Sequence, residues 1–160
     1  MRLHIGIDPG LKGGICIMSG SGTIVGLHDM PIRDKAVDVW ELTRIINPVN
    51  WDTEVQVVCV EALGLRSAQA GVATMGANYG RLMAVLELCY ANIVIVQPKA
   101  WQEGLDLPRS QKERLQRYTM MAADKWTQQE FFGPRGGMID GRAAACWIAE
   151  YGRLMGGLNV

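Results

Sequence analysis

Leu3-His4-Ile5-Gly6-Ile7-Asp8-Pro9-Gly10 decides the fold. An apolar run ends in an acid just where Pro-Gly makes the chain turn, so Asp8 is held rigidly at a strand end and faces outward. Beyond the turn Pro9-Gly10-Leu11-Lys12-Gly13-Gly14, the run Ile15-Cys16-Ile17-Met18 reads as a second strand. The turn Ser19-Gly20-Ser21-Gly22 then leads into a third, Thr23-Ile24-Val25-Gly26-Leu27, which gives an antiparallel three-strand start. Val37, Trp40 and Ile45 suggest a first helix that Pro48 ends. Residues 55–60 are apolar without strict alternation, the pattern of a strand buried on both faces at a sheet centre. The Gly/Ala/Ser-rich stretch 62–77 reads as a connection. Tyr79 to Tyr90 reads as a long helix with Leu82, Val85, Leu86 and Cys89 on one stripe. Ile93 to Val96 is expected to be another buried strand, stopped by Pro98. Ser110 has the N-cap chemistry to open a helix running to about Trp126. Residues 127–139 form a loop before a last helical pattern from Gly141 to Leu154. This order describes an α/β protein with a mixed sheet flanked by helices. Two glycine turns within the first thirty residues argue against the alternative, a purely parallel doubly wound sheet.

A chain of 160 residues with 49% hydrophobic content is long enough for a core and about the size of one domain, which is expected to span 1–160. The formal net charge is zero, so any nucleic-acid binding has to come from local charge. Cys16, Cys59, Cys89 and Cys146 lie in apolar runs without metal-ligand spacing. Buried reduced thiols and a cytoplasmic compartment are the expectation. Arg2 and His4 are followed by a short strand and then glycines, which fits neither a signal peptide nor a membrane span.

The central run Val55-Gln56-Val57-Val58-Cys59-Val60-Glu61 also ends in an acid, and Asp140 heads the last helical pattern. Three acids at element ends, far apart in sequence, suggest one cation site. Oxygen-rich ligand sets suit Mg²⁺ or Mn²⁺, whose coordination is often completed by substrate phosphates, and this points toward phosphodiester chemistry. Each acid also has a plainer role: Asp8 as a turn former, Glu61 as a solvated strand end, Asp140 as a helix N-cap.

Gly6-Ile7-Asp8-Pro9-Gly10, Val60-Glu61 and Asp140-Gly141-Arg142-Ala143 together resemble the RuvC family of Holliday junction resolvases, especially its small phage-type members, over nearly the whole chain. The resemblance implies an RNase H-like fold, a homodimer, and Mg²⁺- or Mn²⁺-dependent cutting of four-way DNA junctions in recombination and repair. It also implies that Asp8, Glu61 and Asp140 hold the metal, with Lys112 as the basic residue near the scissile phosphate and Lys99 as a second candidate. One position departs from the phage-type pattern Asp-Gly-Arg-Ala-Asp: its fifth residue here is Ala144. A carboxylate at 144 would join Asp140 on one helix face. Either the protein works with three acids, or the alanine replaces a fourth and inactivates this chain. Related readings are a branched-DNA-binding protein without catalysis and a YqgF-type RNA nuclease of the same fold. Actin-like and sugar-kinase ATPases also place an acid and glycines after a first strand, but they are longer and need a second phosphate turn.

Lys12, Lys99, Arg114 and Arg117 are candidate phosphate contacts, although a mixed charge run is usually a solvated helix face. Leu63 and Leu65, just beyond Glu61, are candidates for insertion between bases, with packing onto the core as the alternative. The apolar stripe of helix 79–90 is the expected dimer seam. Trp101, Trp126 and Trp147 read as packing residues.

Overall fold

The computed structural model describes residues 1–47, 54–64 and 71–155. Its sheet is organised around β1 (Arg2–Ile7). This strand pairs antiparallel with β2 (Gly14–Ser19), which pairs antiparallel with β3 (Ile24–Asp29). On its other side β1 runs parallel to β6 (Glu54–Glu61), and β6 runs parallel to β7 (Ile93–Val96). Between β3 and β6 come a small hairpin, β4 (Ile32–Arg33) and β5 (Ala36–Val37), and helix α1 (Val39–Ile46). The strand order β3-β2-β1-β6-β7 is the expected mixed α/β sheet with an antiparallel start.

The period-2 alternation of strands sorts the core into two layers. Leu3, Ile5, Ile7, Val58 and Val60 point to one face, where they pack with Leu42 and Ile46 of α1 and with Leu82 and Leu86 of α2 (Val72–Cys89). Val57 and Cys59 point to the other face, which is covered by α5 (Asp140–Met155). Gly6 shares that face. A methyl added to Gly6 would sit 2.7 Å from Ala149 Cα and closer still to the Ala149 amide nitrogen. The missing side chain is what lets α5 lie directly on the sheet. Outside α5 packs α4 (Gln111–Lys125), while the short α3 (Pro98–Gln102) follows β7. No helix among the described residues is long and apolar enough to cross a membrane.

Several expectations need correction. Helix α2 starts at Val72, not Tyr79, because Ala73, Met75 and Ala77 are good helix formers, and buried Asn78 ties this first half to the hairpin by accepting from Val37 N at 2.8 Å. Residues 65–70 of the expected connection lie outside the described residues, as does Pro48. The first helix uses Leu42 and Ile46 as its buried positions; Val37 belongs to β5 and Trp40 is 79% exposed. Strand β7 is a sheet edge rather than a buried strand, so Val94 and Ile95 remain exposed. Cys89 is exposed too, whereas Cys16, Cys59 and Cys146 are buried. The stripe expected as a dimer seam is not free to serve as one, since Leu82, Val85 and Leu86 are consumed by the core of their own chain.

Candidate active site

Strand parity places the acids. Glu61 follows Val57 and Cys59 on the α5 side of β6, and Asp8, one residue past β1, follows Gly6 to the same side. Asp140 is the first residue of α5, not its N-cap, and its charge still lies at the favourable end of the helix dipole. The first turn of α5 is held by bonds from Arg142 to both Asp29 carboxylate oxygens, at 2.7 and 3.0 Å. It is also pressed backbone to backbone against the Asp8 turn through Gly13 and Gly141. The three carboxylates therefore line one cleft of about 230 Å³, together with Trp101, Tyr118, Arg114 and Ala144.

Two of the acids are oriented by donors. Asp8 Oδ1 accepts from Gly10 N at 3.1 Å, and Glu61 Oε2 accepts from Trp101 Nε1 at 2.6 Å. Burial pushes the Glu61 carboxyl up to about 7, helped by the negative charge of Asp8 and opposed by the Trp101 bond. Asp8 is raised first by burial and then by Asp140, against the Gly10 bond. Asp8 is thus the member that repels both others. Tyr118, 5% exposed and edge-on to Trp101, has its phenol pushed up by burial and by all three acids.

This crowding has a measurable consequence. A carboxyl with a folded-state value near 7 against an ordinary 4.5 favours folding at acid pH and loses that contribution as pH rises from 4.5 through 7. The loss amounts to about 2–3 kcal/mol. In EDTA, Glu61→Gln is expected to match its parent near pH 4.5 and to exceed it by about 2 kcal/mol at pH 8. Denaturant melts at the two pH values check this; parallel curves would show that Glu61 does not titrate in the cleft.

The other sequence-derived candidates fall in different places. Of the first-turn residues of α4, Arg114 lines the cleft and Lys112 does not; Lys112 and Arg117 are exposed on α4. The Arg114 guanidinium is pinned by the Pro108 and Arg109 carbonyl oxygens, at 3.3 and 3.1 Å. Lys12 is exposed on the Asp8 turn, and Lys99 is exposed on α3, in a neighbouring hollow. Leu63 is half-buried just past Glu61, and Leu65 lies outside the described residues. Ala144 is 3% exposed, one turn from Asp140. Sequence reasoning missed Trp101 and Tyr118 as cleft residues. The available signal was chemical: a buried indole N–H needs an acceptor, and an acid at a nearby strand end is one.

The donor set fits a hard divalent cation. The cleft holds oxygen ligands, two of them driven toward protonation by burial and mutual repulsion, and the one cation lining it among the described residues, Arg114, is turned to backbone carbonyls. Among the described residues no three His, Cys, Asp or Glu side chains converge on a ready-made single-ion cage.

A scan against protein-family models gives no match, and a comparison with curated proteins gives none either. Solved structures do match. RuvC of Thermus thermophilus in complex with a Holliday junction substrate superposes with a TM-score of 0.64 at 14% identity, covering 99% of this chain and 97% of that one. A second Thermus thermophilus RuvC structure gives a TM-score of 0.59 at 14% identity, with 96% of each chain covered. At such identity the likeness speaks for the fold, and the mixed sheet, its strand order and the near-complete coverage of both chains agree on it: this chain has the RuvC-like form of the RNase H-like fold.

Proposed function

We propose that the protein is a divalent-metal-dependent endonuclease that cuts branched DNA, four-way junctions in particular. The observation that carries this reading is the convergence of Asp8, Glu61 and Asp140 on one cleft of a RuvC-like fold. That Thermus thermophilus RuvC was solved on a Holliday junction supports the choice of substrate.

Asp8, Glu61 and Asp140 would hold Mg²⁺ or Mn²⁺. The chemistry such cations supply in phosphodiester hydrolysis is activation of water and stabilisation of the leaving 3′ oxygen. The chain's own contribution is positioning. Trp101 fixes the Glu61 carboxylate, the Gly10 amide fixes Asp8, and the locked first turn of α5 fixes Asp140. Arg114, the cation in the cleft wall, is assigned to charge developing on the phosphate oxygens. Lys112, Arg117, Lys12 and Lys99 are assigned to flanking phosphates, and Leu63 to an apolar contact with unstacked bases at the branch. Two symmetric cuts need two such sites, hence a homodimer with a twofold axis.

Ala144 gives a second reading its footing. It stands in the cleft wall where a fourth carboxylate would face Asp140, so the chain as it stands would bind junctions and cut them slowly or not at all. A junction-cleavage assay at limiting Mg²⁺ tests both readings. Ala144→Asp is expected to raise the cleavage rate and the cation affinity together, each by at least about tenfold. Equal cleavage by parent and variant would show that three acids suffice. Tight junction binding without cleavage by either would favour the non-catalytic protein. Preferential cutting of structured RNA would favour an RNA nuclease.

A further inference from the structure

Beside the acid cleft lies a second hollow of about 590 Å³ that shares two of its walls, Gln102 and Arg114. We infer that this hollow is a backbone subsite that holds the DNA strand on one flank of the cut, so that the strand leaves the acid cleft in one direction only. The inference rests on the nuclease reading and adds a path to it.

Charge is the first argument. Lys99, Arg109 and Arg114 face the hollow against one acid, Glu103. Among the described residues none of the three cations forms an ion pair, whereas Arg33, Arg44, Lys125, Arg142 and Arg153 all do. Unpaired cations gathered next to a cleft of repelling carboxylates separate the surface into a site that excludes phosphate charge and a groove that attracts it. A polyanionic strand crosses the first only when drawn into the second.

Shape is the second argument. The segment after α3 turns back on itself through left-handed Gly104 and Asp106, with φ of 85° and 46°. That turn brings Arg109 round to face Lys99 across the hollow. Arg114 closes the loop by donating to the Pro108 and Arg109 carbonyls, which holds its guanidinium on the wall common to both hollows. Pro98, Leu107 and Pro108 form an apolar floor suited to deoxyribose. The arrangement fits a continuous strand, with phosphates along the cationic rim and sugars on the floor.

The test measures binding of the 160-residue chain to a labelled four-way junction in EDTA, so that no cleavage intervenes. Lys99→Gln with Arg109→Gln removes two exposed charges whose side chains make no bonds among the described residues. It is expected to weaken binding about tenfold near 0.1 M salt and to reduce the slope of log affinity against log salt by about 1.4–1.8, at about 0.7–0.9 per phosphate contact. Glu103→Gln is expected to tighten binding about two- to threefold, a gain that damaged folding cannot produce. Neutral methylphosphonates placed singly along the strand should weaken the parent more on one flank of the cut than on the other, and that excess should be lost in the double variant. Junction-selective parent binding with an unchanged slope in the double variant would overturn the subsite alone, as would an equal methylphosphonate response on both flanks. A parent that binds junctions no better than duplex would overturn the nuclease reading and this inference with it.

Discussion

Replacing Asp8 by Asn is expected to lower cleavage at least about a thousandfold, about 4 kcal/mol in the barrier, while junction affinity stays within about threefold. Asp8 is the acid whose charge reaches both Asp140 and Glu61, so its removal leaves neither partner able to share a cation with it. Asparagine keeps the shape and can still accept from Gly10 N. Binding is assigned to cations elsewhere, and a neutral residue in the cleft eases the approach of phosphate. The comparison belongs in whichever of the parent chain and Ala144→Asp cleaves faster, with binding measured in EDTA by fluorescence anisotropy. Normal turnover by Asp8→Asn would remove the cleft from consideration as the active site.

Gly6→Ala is the second large effect, and it falls on the fold. The new methyl would meet main-chain atoms of Ala145 and Ala149, which cannot rotate away as a side chain could. Either α5 lifts from β1 or the strand bends. A loss of at least about 3 kcal/mol in unfolding free energy is expected. Because α5 also carries Asp140, the surviving folded fraction should bind cations poorly. Gly80→Ala is the matched control, since nothing lies within 4 Å of a methyl there and its helical position favours alanine by about 0.5–1 kcal/mol. Thermal and urea melts of the two variants should move in opposite directions.

The parts of this molecule that were legible in its sequence are those set by short-range periodicity. The acid-terminated runs ending at Asp8 and Glu61 announced both strands, and parity alone puts the two carboxylates on one side of the sheet. The β4–β5 hairpin was not legible, because its two-residue strands turn through left-handed Asp34 and Lys35 rather than Asn-Gly, and are held by Asn78 from a distant helix. Choosing Arg114 over Lys112 for the cleft needed the rotational phase of α4, which carries charged residues on several faces and gives no clear stripe to orient it. Trp101 and Tyr118 enter the cleft through packing between α3 and α4, a tertiary relation that no local pattern encodes.

The contact of Gly13 with Gly141 makes the cleft a vice with one fixed jaw. Main chain meets main chain there, so the span between Asp8 and Asp140 cannot be retuned by exchanging a side chain between them. Glu61 also stands on main chain paired with β1, but its longer side chain is set by another side chain, through the bond from Trp101, which Tyr118 packs against. Whatever width different substrates or cations demand, in this chain or in variants selected from it, has to be found on the Glu61 side.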